Sequence, residues 1–167
     1  MTSINDILQY MGKYGYIFLG VIVFLEYLNL PGLPAGLIMP AAGILVKAEG
    51  LNFIYTLIIS VIAGLLGSFV LYALGHYCGK PILSKWEKKF PKSKKAIDKT
   101  FMYIDKYGNL GILISRIIPV ARTLISLVAG TFNVKFIQFT LYSTIGITIW
   151  NFAFIYAGYA FGHLFLK

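Results

Sequence analysis

Two stretches of the chain run without a single Asp, Glu, Lys or Arg: residues 51–79 and, between Lys135 and Lys167, residues 136–166. A helix rises about 1.5 Å per residue and needs about 20 apolar residues to cross a bilayer, so each stretch predicts a tilted transmembrane helix. Two other apolar stretches are interrupted. Residues 14–47 contain Glu26 and the cluster Pro31, Gly32, Pro34, Gly36 and Pro40, and residues 107–134 contain Arg116, Pro119 and Arg122. A proline inside a helix removes a backbone hydrogen bond and clashes with the preceding turn. Broken backbone at membrane depth is tolerated only where protein or a water-filled cavity satisfies it. The pattern therefore predicts re-entrant hairpins or broken helices around residues 30–46 and 111–131, with Pro31, Pro34 and Pro119 as the breaking residues.

The two halves echo each other. Lys13-Tyr14-Gly15 recurs as Lys106-Tyr107-Gly108, and Ala42-Gly43 recurs as Ala129-Gly130, each after a proline-interrupted stretch. The spans that follow carry glycines at matching offsets: Gly75 and Gly79 in the first, Gly158 and Gly162 in the second. Glycines recur in any membrane protein, but a shared order is harder to match by chance. The fold expected is an all-α polytopic membrane protein forming a single membrane domain over 1–167. Repeat 1 covers about 13–79, a basic segment about 80–106, and repeat 2 about 106–167. The spaced glycines suit close helix–helix approach in lipid.

Composition removes the soluble alternatives. Hydrophobic residues make up 58% and charged residues 13%, about half the usual charged share of about 25%, which excludes a disordered chain, a coiled coil and an ordinary soluble globule. The single Cys78 excludes an intrachain disulfide and a cysteine-built metal site. No metal and no cofactor is expected. The apolar run 14–25 is read as retained rather than as a cleaved signal, because Glu26 and prolines follow it instead of small residues.

The net charge of +9 is concentrated: nine lysines against Glu87, Asp98 and Asp105 lie between Lys80 and Lys106. A basic patch can bind nucleic acid, but lysine-rich loops beside spans mark the cytoplasmic side and touch anionic headgroups. Ile97, Phe101 and Ile104 fall at helical spacing, and Pro91 separates two short helices. This segment is expected along the cytoplasmic membrane surface. The first span then runs inward and the second outward, which makes the repeat inverted, as in many secondary transporters.

Glu26, Arg116 and Arg122 are, with His76, the ionisable residues inside apolar stretches. A central Arg opposes membrane insertion by about 2.5–3.5 kcal/mol, and intramembrane charge marks a functional site by default. Arg116 and Arg122 are six apart, about 240° around a straight helix at 100° per residue. Pro119 lies midway, and a break there turns both guanidiniums toward one cavity. Two forked, permanently charged donors match phosphate oxygens, and helix N-termini near the break favour an anion. Glu26, in the matching part of the other repeat, could carry a proton or pair with an Arg. The rival reading is a structural Arg–Glu network that pins the hairpins. His76 and His163 show no metal-ligand spacing, Ser115 and Ser126 flank the Arg region without a His/Asp relay, and Asn29 and Asn151 either line a polar cavity or bond a neighbouring helix.

The run from Ser115 to Thr123, with Arg116, Pro119 and Arg122, followed by Ala129-Gly130, resembles the R-x-x-P-x-x-R-T…A-G signature of the DedA family of membrane proteins (the VTT or SNARE-associated type). Phe139, Tyr142, Gly146 and Trp150 fit the family's F-x-x-Y-x-x-x-G-x-x-x-W pattern, and Glu26 with Leu30-Pro31-Gly32-Leu33-Pro34 is similar to its first hairpin. Gly67, Tyr72, Gly75 and Gly79 also fit, so the resemblance covers roughly residues 24–162. Two departures stand out. Ala35 and Gly36 stand where the family often has a second acid, and Ser68 where it often has an Asp.

The resemblance implies a multi-pass protein of the bacterial cytoplasmic membrane with two re-entrant hairpins and a role in envelope homeostasis. It also implies transport of an anionic lipid, the carrier lipid undecaprenyl phosphate, in a way that depends on the proton-motive force, while related eukaryotic proteins scramble phospholipids. Arg116, Arg122 and Glu26 are the expected substrate-binding residues, and membrane lipids and protons the expected partners. Ion- or proton-coupled small-cation transport, phospholipid scrambling, an enzyme on lipid phosphates and a purely structural role stand as alternatives. The enzyme lacks a nucleophile with its base, so the chain is expected not to be one.

Overall fold

The structure, a computed structural model, describes residues 4–28, 36–48, 50–89, 94–118 and 121–162. Among them seven helices form and no strand does: α1 (Ile4–Tyr27), α2 (Ile38–Ala48), α3 (Phe53–Lys89), α4 (Lys94–Tyr107), α5 (Leu110–Ile117), α6 (Ala121–Thr131) and α7 (Phe136–Phe161). Pro31, Pro34, Pro91 and Pro119, expected as breaking residues, lie outside the described residues, as do Asn29 and His163. α5 ends at Ile117, the following Ile118 is extended (φ −94°, ψ 122°), and α6 begins at Ala121.

Two helix bends and one helix start have a local cause. α1 bends at Gly15 and α3 at Gly79, both with positive φ, which leaves Phe53–Gly79 as one apolar span and Gly15–Tyr27 as a shorter apolar helix. Only glycine reaches such backbone angles without strain. The matching glycines of the two Lys-Tyr-Gly motifs share this conformation, at φ 57° for Gly15 and 55° for Gly108. α3 is started by Asn52, whose Oδ1 accepts from the amides of Ile54 and Tyr55 at 2.9 and 3.2 Å, an N-terminal cap.

The two long helices wear their apolar side outward. On α3 the exposed residues Ile54, Ile58, Ile62, Leu66, Val70 and Leu74 recur every four positions, while Thr56, Ser60 and Ser68 are buried. On α7, Ile137, Leu141, Ile145 and Ile149 are exposed while Ser143 and Asn151 are buried. Water would disfavour this inside-out arrangement, whereas lipid favours an apolar surface and forces polar groups to find partners inside. Among the described residues, Phe53–Gly79 and Phe136–Phe161 are the two helices long and apolar enough to cross a membrane.

The chain divides into two compact units, Met1–Leu66 with Thr148–Lys167, and Gly67–Ile147. In the first, α2 lies against the second half of α7. A Cβ on Gly43 would strike the Ile155 carbonyl and the Tyr159 amide, and one on Gly158 would strike Pro40. In the second, α6 lies against the second half of α3. A Cβ on Gly130 would strike Tyr72 and His76, and one on Gly75 would strike Leu127. The partners correspond one for one at constant offsets along the chain. Gly162 against Ile44 and Gly79 against Thr131 complete the match. α4 packs on α5 and α6, and its Ile104 joins the core of the second unit with Ile112, Ile125, Val128 and Phe139.

Candidate functional site

The second unit holds both arginines. Arg116 stands in the last turn of α5, where the helix dipole favours a cation. Arg122 stands in the first turn of α6, where the dipole is positive, so helix end and guanidinium act together to favour an anion. Both are buried, Arg116 to 1% and Arg122 to 3% exposure.

Arg116 is the organising group. Its Nη1 donates to Ser68 Oγ at 3.1 Å and to the Arg122 carbonyl at 3.5 Å, and its Nη2 donates to Ser126 Oγ at 3.0 Å and Ser143 Oγ at 2.9 Å. Those acceptors come from α3, α6 and α7, so one side chain of α5 ties four helices. Its Cζ sits 5.7 Å from the centre of the Phe139 ring, within cation–π range. Gly146 makes room for it, since a Cβ there would lie 2.6 Å from Arg116 Cβ and 2.9 Å from Cγ. The two arginines are thus joined across the break through the Arg122 backbone.

Glu26 lies in the first unit, also buried, at 3% exposure. Beside it in sequence, Tyr27 Oη donates to Asn151 Oδ1 at 3.1 Å, Asn151 Nδ2 donates to Ser60 Oγ at 3.1 Å, and Ser60 donates to the Leu57 carbonyl at 2.8 Å. Asn151 therefore bonds neighbouring helices. The arrangement parallels the second unit. Ser60 and Asn151 correspond, at the offset relating α3 to α7, to Ser143 and Ser68; the first pair bond each other directly, whereas Arg116 bridges the second. The first unit also holds a cavity of about 440 Å³ lined by Val46, Leu51, Phe53, Phe152, Tyr156 and Tyr159, with the Lys47 ammonium 5.8 Å from the Tyr159 ring.

Sequence reading missed Ser143 altogether, noted Ser68 only as a departure, and placed Ser126 beside the arginines without a partner. The available signal was the demand of a buried guanidinium for acceptors, set against serines lying in otherwise uncharged spans. His76 and Cys78 are exposed. Among the described residues no three His, Cys, Asp or Glu gather as metal ligands.

The VTT-domain family matches residues 33–160. This chain belongs to that family, the DedA family of membrane proteins. It is 30% identical to Protein DedA of Escherichia coli K12 over 165 residues, covering 96% of this chain and 75% of that one. It is 29% identical to undecaprenyl phosphate transporter A of Bacillus subtilis 168, covering 96% and 79%. It is 32% identical to the protein of the same name in Staphylococcus aureus NCTC 8325, covering 91% and 76%. No solved structure matches the chain. Two of these relatives are named as transporters. The DedA-family chain is accordingly a membrane protein with a transport role.

Proposed function

We propose that this DedA-family protein moves an anionic polyprenyl phosphate, of the undecaprenyl phosphate class, across the bacterial cytoplasmic membrane. The observation that carries the reading is the pair of buried guanidiniums on either side of the α5–α6 break. Two permanent charges enclosed in a lipid-facing protein oppose its insertion, and an anionic headgroup offsets that cost while its tail stays in lipid. Relatives named for the same cargo support the choice of lipid. Arg122, at the positive end of α6, contacts the phosphate, and Arg116 holds the break in shape. The buried carboxyl of Glu26 couples transport to protons. The α1–α2 and α5–α6 pairs are the re-entrant hairpins of an inverted repeat within one membrane domain, a reading supported by the matched glycine contacts in the two units and by a cytoplasmic location for the lysines of 80–106.

The test is translocation of a polyprenyl monophosphate in reconstituted vesicles. Arg122→Gln is expected to lower the rate at least a hundredfold, with the protein still folded. A rate equal to wild type in Arg122→Gln refutes the assignment.

A further inference from the structure

Arg116 has four hydrogens on its two terminal nitrogens, and four acceptors meet them: Ser68 and the Arg122 carbonyl at Nη1, Ser126 and Ser143 at Nη2. Those nitrogens are committed to the protein's own helices. The Nη1 side includes a backbone carbonyl and is fixed by the fold, whereas the Nη2 side ends in two hydroxyls, which rotate. An oxygen that accepts from a guanidinium still holds its own proton. Elsewhere in these helices hydroxyl protons go back to carbonyls of the preceding turn: Ser60 to Leu57, Thr131 to Leu127, Thr140 to Phe136. Among the described residues the protons of Ser126 and Ser143 meet no such acceptor, although both residues are buried, at 1% and 0% exposure. Next to Arg116 in the chain, Ser115 is fully buried, and its Oγ has no hydrogen-bond partner. Native interiors satisfy nearly all such groups, and clustered exceptions call for an explanation. Hydroxyls polarised by a cation and still holding their protons suit an anion.

We propose that the Ser126 and Ser143 hydroxyls are ligand groups of this site. With Nη2 behind them at 3.0 and 2.9 Å, they donate to the oxygens of a tetrahedral oxyanion, a phosphate carried by a lipid or free in solution. The charge of Arg116 reaches that anion through them, so Arg116 is a positioning residue. The proposal rests on the transport reading above for its lipid, but not for its chemistry.

The experiment measures equilibrium binding of a fluorescent polyprenyl monophosphate to the full chain in detergent, with inorganic phosphate as competitor and the melting temperature of every variant. Single Ser126→Ala and Ser143→Ala variants leave Nη2 one acceptor and keep the fold. Each is expected to bind about tenfold more weakly and to melt somewhat lower for the acceptor Nη2 loses, and Ser→Thr at either position, which retains the hydroxyl, to bind within about twofold of wild type. The double Ala variant is expected to lose inorganic phosphate competition in parallel. Unchanged or tighter binding in the Ala variants overturns the proposal, because the hydroxyls then only occupy Arg116. Equal weakening in the Ser→Thr variants, which keep the hydroxyl, overturns it as well. Should wild type ignore the lipid yet bind inorganic phosphate through these serines, the transport reading falls and the hydroxyl assignment stands.

Discussion

Gly146→Ala tests how tightly the guanidinium clasp is built. The added Cβ would lie 2.6 Å from Arg116 Cβ and 2.9 Å from Cγ. Ordinary carbon–carbon contacts lie at about 3.5–4.0 Å, so α7 and α5 must part locally by roughly 1 Å. Rotating the arginine gives no relief, because its Cβ is fixed to the α5 backbone. Ser143 moves with α7, so its 2.9 Å bond to Nη2 would stretch to about 4 Å, beyond hydrogen-bond range. Losing a bond to a charged group costs about 1.5–3 kcal/mol, and overpacking adds about 1–3 kcal/mol. Against a typical stability of about 5–15 kcal/mol, the purified variant should melt lower by on the order of 10 °C. Its translocation rate in vesicles should fall at least tenfold, because the displaced clasp no longer holds the Arg122 carbonyl. A Gly146→Ala protein that melts and transports like wild type would refute the tight clasp and the role given to it.

Three further outcomes follow from the same contacts. Gly43→Val and Gly130→Val drive side chains into the backbones of α7 and α3, respectively, and each should destabilise by about 1–3 kcal/mol, read as a lowered melting temperature in detergent. Ser60→Ala leaves Asn151 Nδ2 without its acceptor and should cost about 1–3 kcal/mol, while Ser60→Ala with Asn151→Leu, which removes both partners, should cost less than the two single changes summed. Leu66→Lys puts a charge in the exposed stripe of α3 and should oppose insertion by about 2.5–3.5 kcal/mol, lowering the membrane-integrated fraction in an insertion assay. Wild-type integration there would contradict a lipid-facing stripe.

Much of this architecture was readable from residue order. The uncharged runs became the spans Phe53–Gly79 and Phe136–Phe161, because period and length alone decide whether a helix can cross lipid. The paired Lys-Tyr-Gly motifs and the spaced glycines carried conformational and packing information that a side-chain-free residue cannot conceal. Ser143 stayed invisible because a serine in an apolar helix has no periodic signature, and its meaning lies in a partner 27 residues away. The packing of α4 was hidden too: its Ile104 completes a core with α5 and α6, a pairing no local pattern encodes.

The make-up of the first unit bears on how the protein is born. Its opening 66 residues are sealed by Thr148–Lys167, a stretch made after the whole of the second unit. Until then Gly43 and Pro40 have no Ile155 or Gly158 to close against, and the unit waits in the membrane half assembled. A nascent chain stalled after Ile147 would therefore offer quality-control proteases an open flank, even with every residue of the arginine clasp already made.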